Sequence, residues 1–121
     1  MDGLPQPQSL APCTPRLAGL WLVRRLRRFR TSGASMAPNL LPGQSVLVDG
    51  RAFRAAPPAV GDVVLLQHPF DPGLLLLKRV RSVEAGRTFV VGDNLEASTD
   101  SRSFGAVPLE QVLGRVVCTF P

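Results

Sequence analysis

Residues 74–83 read LLLLKRVRSV, the longest of several short runs whose composition is typical of β-strands. The sequence Ala85-Gly86-Arg87 that follows is a turn signal, so we expect this run to form a hairpin with the next one. Prolines, glycines and aspartates separate the remaining runs in the same way. Strands are therefore predicted at 45–48, 62–67, 74–83, 88–91 and 112–120.

The regular spacing of these turns indicates the fold class. Residues 31–121 contain no helical pattern of about ten residues, and the chain is 45% hydrophobic, which argues against wholesale disorder. A length of 121 residues allows one buried core. We expect a mostly β fold with a compact barrel or sandwich core.

The first thirty residues differ from this pattern. Residues 1–15 are rich in proline and lack periodicity, which predicts a flexible leader. From Arg16 to Arg30, leucines and arginines mix at near-helical spacing, which predicts a short basic amphipathic helix. The chain is therefore divided into a leader and helix at 1–30 and a folded core at 31–121.

Charge is concentrated in the N-terminal part. Residues 1–30 hold six arginines against Asp2 alone, whereas residues 31–121 hold eight basic and eight acidic side chains. A neutral core argues against nucleic acid as a partner, because a groove that follows phosphates needs basic residues there. The basic helix contacts an anionic membrane surface or packs on the core, and both alternatives are open. Its apolar run is too short to span a bilayer, so we expect a cytoplasmic protein with at most peripheral membrane association.

Cysteine and histidine offer little chemistry. Cys13 and Cys118 lie at opposite ends of the chain without metal-ligand spacing, so neither a zinc site nor a disulfide framework is expected. His68 is the only histidine, and its setting indicates the end of a strand entering a turn, not a catalytic triad. No metal or organic cofactor is expected.

Lys78 is the only lysine among fourteen basic residues, and it follows four leucines. Arginine stays protonated in proteins, whereas an apolar environment can lower the pKa of a lysine amine until it acts as a base. The alternative is an ordinary strand lysine that extends its ammonium group to water.

Two loops carry candidate partners for this lysine. Residues 32–38 read SGASMAP, small side chains that leave room for a substrate backbone and free amides for an oxyanion around Ser35. Residues 92–102 read GDNLEASTDSR, a polar loop dense in hydroxyl and carboxylate groups. Taken singly, each loop is also compatible with simple turn chemistry.

In this order, the three segments resemble the conserved boxes of the signal peptidase I family of serine/lysine peptidases. Residues 35–38 resemble the nucleophile box, 78–80 the general-base box, and 92–94 with 98–102 the last box, while 61–64 resemble the strand between the first two. The resemblance implies a signal-peptidase-like core, no cofactor, and an endopeptidase that cleaves the extended N-terminal segment of a precursor protein.

The resemblance also implies residue roles. Ser35 is expected to attack the scissile carbonyl, Lys78 to act as general base, and Ser98 to orient the lysine amine. Asp100 and Arg102 resemble a structural ion pair of the last box. Supporting positions near the nucleophile are Ser32, Gly33 and Met36.

Two positions depart from the family pattern near the nucleophile. Asn39 occupies a position where the family usually has threonine. Gly33 stands where some members place an oxyanion-stabilising serine, with Ser32 one residue further away. The backbone N–H of Ser35 is therefore expected to carry more of the oxyanion stabilisation.

The short chain indicates which members of the family it resembles most. Only 13 residues separate Lys78 from Gly92, which leaves no room for the extra β-domain of larger members, and no anchor is recognised. The chain is most similar in this respect to small peptidases that remove the propeptide of nickel-type superoxide dismutase, with any nickel belonging to the substrate. The alternatives are a general signal peptidase docked through residues 16–30, and a non-catalytic or self-cleaving repressor-type β module.

Overall fold

The computed structural model describes residues 9–22 and 26–120. Its strands are β1 (Leu26–Arg30), β2 (Ser45–Asp49), β3 (Val63–His68), β4 (Asp71–Glu84), β5 (Arg87–Val91), β6 (Val107–Pro108) and β7 (Val112–Phe120). The α-helices are α1 (Pro15–Leu22) and α2 (Ser101–Phe104), and short 3-10 helices span Leu95–Ala97 and Leu109–Gln111.

The seven strands form one antiparallel sheet in the order β1-β2-β7-β3-β4-β5-β6. This confirms the predicted mostly β class. Within the described residues the end strands β1 and β6 do not pair with each other, so the sheet is not a closed barrel and its core is sandwich-like.

All five strands expected from the sequence are present within a few residues of their predicted bounds. The hairpin of β4 and β5 is also confirmed, with Ala85 and Gly86 at φ values of 50° and 75°, the left-handed pair that suits a two-residue turn. β4 begins earlier than predicted, at Asp71, because its first residues already pair with β3. The turn expected at 71–73 lies instead at Pro69 and Phe70.

The helix predicted over 16–30 is wrong in its second half. α1 ends at Leu22, and residues 26–30 form β1, which pairs with β2 from Leu26 opposite Asp49 to Arg30 opposite Ser45. Backbone pairing with a neighbouring strand overrides a local helical pattern, because alternate residues of both strands form N–H···O=C hydrogen bonds with each other. Leu17 of α1 packs on the cluster of Leu26, Leu47 and Cys118, so part of this helix contacts the core.

The expectation that the cysteines are unpaired is also wrong. Cys13 and Cys118 form a disulfide across 105 residues of sequence, with their Cα atoms 4.9 Å apart. Part of the predicted leader is therefore ordered, since Pro12 forms a parallel bridge with Thr119. Residues 1–8 of that leader lie outside the described residues. Fold topology, which brings distant segments together, decided this pairing, and spacing alone could not reveal it.

Two further apolar clusters form the core, besides that of Leu26, Leu47 and Cys118. One includes Leu40 together with Met36 and Leu77, the sequence neighbours of Ser35 and Lys78. The other includes Val64, Leu66 and Val90. Within the described part of the chain, no helix is long and apolar enough to cross a membrane.

Candidate active site

One pocket of about 150 Å³ brings together two of the three predicted segments. Ser35 and Lys78 both line it, Ser35 from the loop after β1 and Lys78 from the middle of β4. The remaining lining residues are Phe29, Thr31, Ser32, Gly33, Met36 and Leu74 to Leu77. The nucleophile and base candidates thus share one solvent-accessible space.

The loop that carries Ser35 is fixed at several points. At its start, the Thr31 hydroxyl donates to the carbonyl of Leu41, 2.7 Å away. Asn94 holds its centre, because the Asn94 N–H donates to the Ser35 carbonyl at 2.8 Å and its amide donates to the Ala34 carbonyl at 3.2 Å. The backbone around the nucleophile candidate is therefore tied to the loop that follows β5.

Lys78 is buried, with 3% of its surface exposed. Its Nζ donates to the Ser98 hydroxyl at 3.1 Å. Burial lowers the pKa of Lys78 below the usual 10.5 because it disfavours the charged amine. The charge of Asp100 opposes this shift, and the charge of Arg102 adds to it. The alternative of a lysine that extends its ammonium group to water does not fit this burial.

Ser98 and Asp100 continue the chain of contacts from Lys78. The Ser98 hydroxyl donates to Asp100 Oδ2 at 2.6 Å, so its single proton points away from the lysine and its oxygen accepts from Nζ. Asp100 is 1% exposed. Burial alone would raise its pKa, but hydrogen bonds from Arg102, from Ser98 and from the Gly92 N–H outweigh this and hold the pKa at about 2.

The ion pair implied for the last box is present. Arg102 Nε lies 2.8 Å from Asp100 Oδ1. Arg102 also donates to the carbonyls of Leu95 and Ser98, which closes the loop between β5 and α2. Asp100 caps the start of α2 by accepting from the Arg102 N–H. These hydrogen bonds order the loop beside Lys78. They do not fit the alternative interpretation of the loop as a solvated turn.

The sequence analysis missed a second ion pair at the site. Arg79, the neighbour of Lys78, donates from Nε to Asp93 Oδ1 at 2.8 Å. The Asn39 amide donates to the other carboxylate oxygen of Asp93 at 2.9 Å. Asn39, which departs from the family pattern, thus connects the loop that carries Ser35, here called the nucleophile loop, to Asp93 of the loop after β5. Through Asp93 it is also linked to Arg79 of β4. The positions lie 14 and 54 residues apart in sequence, and no local signal links them.

Gly92 fits a position that admits no side chain. A Cβ atom there would overlap the Ser98 side chain and lie 2.5 Å from the Ser35 carbonyl oxygen. The backbone of the third segment therefore packs directly against both the nucleophile loop and the lysine's partner. The resemblance places Gly92 in the last box, but the sequence did not predict that the position excludes a side chain.

The remaining predicted residues fall in different settings. Ser32 and Gly33 are exposed on the pocket lining, and nothing lies within 4 Å of a Cβ placed on Gly33. Met36 is 3% exposed, lines the pocket and accepts from the Asp93 N–H at 3.4 Å. His68 lies at the β3–β4 turn with its ring against Phe104, and its Nδ1 accepts from the Phe70 N–H.

Comparison with known proteins identifies the family. The family model for signal peptidase, peptidase S26, matches residues 16–83 and 81–120. The chain belongs to this family. Its members are serine peptidases, and the resemblance stated from the sequence is confirmed at family level.

Individual relatives are more distant. The chain is 33% identical over 108 residues to mitochondrial ATP-independent inner membrane protease subunit 1a of Arabidopsis thaliana, covering 70% of this chain and 64% of the relative. It is 29% identical to mitochondrial inner membrane protease subunit 1 of Homo sapiens, with coverages of 70% and 63%. It is 25% identical to a probable signal peptidase I-1 of Synechocystis, with coverages of 71% and 66%. The chain thus spans just under two thirds of each of these relatives.

Proposed function

We propose that this chain is a serine endopeptidase in which Ser35 is the nucleophile and Lys78 the general base, and that it removes an N-terminal presequence from a precursor protein. The observation that carries the proposal is the burial of Lys78 in the same pocket as Ser35. A buried amine with a lowered pKa is the kind of base that can activate a serine hydroxyl.

The hydrogen bonds around Ser98 support this role for the lysine. Because the Ser98 proton is committed to Asp100, Ser98 accepts from Lys78 and leaves the nitrogen lone pair of a neutral amine free for another proton. In the proposed first step, Ser35 Oγ attacks the scissile carbonyl carbon while its proton passes to Lys78 Nζ. The Ser35 N–H stabilises the oxyanion.

The second half of the reaction reuses the same groups. Protonated Lys78 donates to the leaving amine as the tetrahedral intermediate collapses to an acyl ester on Ser35. The leaving amine is the new N-terminus of the shortened precursor, which departs at this stage. Lys78 then accepts a proton from the water that attacks the ester and returns it to Ser35 Oγ, which releases the presequence with a new C-terminal carboxylate. Neither half requires a cofactor.

The sheet suggests how the substrate is held. β1 pairs only with β2, and β5 pairs with β4 no further than Arg79, so among the described residues the outer edges of β1 and of residues 74–77 have no strand neighbour. Both segments line the pocket. An extended peptide between them gains backbone hydrogen bonds, and the exposed Gly33 leaves room for it.

The names of the relatives support a proposal for the substrate class. Their names describe inner membrane proteases of mitochondria and a signal peptidase, so we propose a presequence of a precursor that is delivered to or through a membrane. Two of these names also describe subunits, which makes a partner subunit a proposal for this chain. None of the three names supports the nickel-type superoxide dismutase precursor, which therefore enters the tests as one substrate among several.

The deciding experiment compares four proteins on a panel of precursor N-termini, with products read by mass spectrometry. The panel contains secretory signal peptides, mitochondrial presequences and the nickel-type superoxide dismutase propeptide. Wild type is expected to cleave, while Ser35→Ala and Lys78→Arg lose at least about 100-fold in rate. Ser82→Ala, an exposed serine on β4, is the matched control and keeps full activity.

The arginine substitution separates two roles for the lysine. Arginine keeps the positive charge but does not give up its proton, so activity in Lys78→Arg would show that the lysine only supplies charge. Equal cleavage by wild type and Ser35→Ala would overturn the nucleophile assignment. Loss of intact enzyme mass on incubation, without cleavage of any added peptide, would favour the self-cleaving alternative.

The pH dependence of kcat/KM tests the base. Lys78 must be neutral to accept the Ser35 proton, so activity rises with pH through the pKa of the free enzyme's Lys78. Because burial lowers that pKa, the acid limb is expected to have its midpoint below 10.5. A limb with its midpoint at or above 10.5 would rule out a desolvated lysine as the base.

A further inference from the structure

Residues 9–13 form a segment, here called the N-terminal strap, that follows the end of β7. The Cys13 N–H donates to the Thr119 carbonyl and the Thr119 N–H to the Ala11 carbonyl, both at 2.9 Å. The Cys13–Cys118 disulfide fixes the strap covalently to the same strand. The strap is thus held at its C-terminal end by three neighbouring contacts.

The other end of the strap lies on the nucleophile loop. Leu10 packs on the apolar cluster that includes Met36 and Leu40. The Ser9 hydroxyl donates to Asn39 Oδ1 at 3.0 Å, and the Asn39 amide in turn donates to Asp93. One strap therefore connects the disulfide to the loop of Ser35 and, through Asn39, to the ion pair beside Lys78.

The cysteines differ in accessibility. Cys118 is fully buried, whereas Cys13 is partly exposed. An incoming thiolate therefore reaches the Cys13 sulfur, and Cys118 leaves as the thiolate that is then protonated. Complete reduction by a dithiol converts the dithiol to its own disulfide and leaves thiols on Cys13 and Cys118, so electrons and protons balance.

We propose that the disulfide-held strap is a redox-sensitive positioning element for the nucleophile loop, a proposal that rests on the proposed peptidase function. When the disulfide is intact, Ser9 and Leu10 are held against the loop because the crosslink limits the freedom of the chain. When it is reduced, the strap detaches more easily and the loop loses the Ser9 contact to Asn39. The enzyme is then fully active only where disulfides persist, which argues against the expected cytoplasmic location.

The first test compares the whole oxidised protein with the same protein treated with dithiothreitol. Reduction is expected to lower kcat by about fivefold with little change in KM, because the loop loses both the Ser9 hydrogen bond to Asn39 and the packing of Leu10. Reoxidation with oxidised glutathione restores kcat. Unchanged kcat in a protein shown by mass to be fully reduced would overturn the proposal.

Hydrogen exchange tests the strap without relying on catalysis. The Leu40 N–H donates to the Met36 carbonyl and the Asn94 N–H to the Ser35 carbonyl, so both amides report on the loop. Reduction is expected to speed exchange at both by at least about fivefold, while Val64, in the centre of the sheet, keeps its protection. If oxidised wild type cleaves nothing but exchange changes as stated, the peptidase proposal fails and the strap remains.

A second variant covers the case in which reduction unfolds the whole protein. Ser9→Ala leaves the disulfide intact and removes only the hydroxyl that donates to Asn39. It is expected to lower kcat about twofold and to speed exchange at Leu40. The control Ser82→Ala changes neither quantity. A Ser9→Ala protein with wild-type kcat and wild-type exchange would overturn the proposal.

Discussion

Asp93 and Asp100, two aspartates with buried side chains, each pair with an arginine at 2.8 Å, yet they support the site in different ways. Asp100 and its partner Arg102 are two residues apart, and their contacts close one short loop around Ser98. Asp93 lies 14 residues from Arg79 and also holds Asn39. The first pair is local, whereas the second joins three segments of the chain.

The two ion pairs therefore have different roles: one orients the Lys78 amine, and the other holds segments of the site together. The Asp100 pair sets the proton of Ser98 and through it the contact to Lys78, so its loss should disturb the base most directly. The Asp93 pair fixes the nucleophile loop relative to β4, so its loss should disturb the distance between nucleophile and base. A merely structural pair would change stability without changing the kinetics.

Among the residues that support Ser35 and Lys78, the largest effect is expected at Gly92, where the two regions touch. In Gly92→Ala the added methyl group overlaps Ser98 and crowds the Ser35 carbonyl, so the nucleophile loop and the partner of Lys78 must separate. We expect kcat/KM to fall about 100-fold and the free energy of unfolding to fall by about 2 kcal/mol. Peptide cleavage and urea unfolding measure the two losses.

The matched glycine is Gly19 in α1, where nothing lies within 4 Å of an added Cβ. Gly19→Ala should leave cleavage unchanged and stabilise the helix slightly, because alanine has the higher helix propensity. If Gly92→Ala cleaves as well as Gly19→Ala, the close approach of the two loops has no catalytic importance.

The second effect concerns the local pair. Asp100 has a pKa of about 2 in the folded protein against 3.8 in the unfolded chain, so the folded state binds fewer protons in that range. The resulting stability, about 2 kcal/mol, is complete above about pH 4 and is lost as the pH falls through 2. In Asp100→Asn this contribution is absent, and kcat is expected to fall about tenfold because Lys78 is oriented less well.

Urea unfolding of wild type and Asp100→Asn at several pH values checks the sign. The difference in unfolding free energy should be largest near neutral pH and should shrink steadily as the pH falls from about 4 to about 2. Loss of the Asp100 charge also removes a contribution that raises the pKa of Lys78, so the acid limb of kcat/KM should move to lower pH. A limb that moves to higher pH contradicts this arrangement.

The third effect concerns the long-range pair. Asn39→Ala removes the hydrogen bond to Asp93 and is expected to cost about 1 kcal/mol of stability and a few-fold in kcat. A double-mutant cycle with Asp93→Asn isolates this contact, because the second substitution should add less once Asn39 is gone. Strict additivity of the two free energies would show that Asn39 and Asp93 act independently.

The two pairs also mark what the sequence could predict. Five of the seven described strands and the β4–β5 hairpin follow from local pattern, whereas the family and the pair of Asp100 with Arg102 follow from the resemblance of the motifs. The disulfide, β1 and the Asn39 contact depend on segments that meet only in the folded chain. Helical spacing at 26–30 was misleading because pairing with β2, invisible in the local sequence, decides the conformation there.

The smallest expected change in stability comes from the group that both pairs surround. Lys78→Met keeps the apolar length of the side chain and removes a buried amine, so we expect it to stabilise the protein by roughly 0.5 kcal/mol near pH 7 while cleavage is lost. In wild type the folded-state pKa of Lys78 is below 10.5, so the folded state binds fewer protons than the unfolded chain as the pH approaches that value. Wild-type stability therefore rises with pH in this window, and the advantage of Lys78→Met should shrink there.

Urea unfolding of wild type and Lys78→Met at pH 7 and at pH 10 measures that advantage. An advantage that grows with pH would mean that the folded protein binds the Lys78 proton more tightly than the unfolded chain does. The Asp100 charge would then outweigh burial at Lys78, and the lysine would be held as a cation instead of being poised as a base. The same result would weaken the assignment of Lys78 as general base, because a tightly held proton leaves no lone pair for Ser35 near neutral pH.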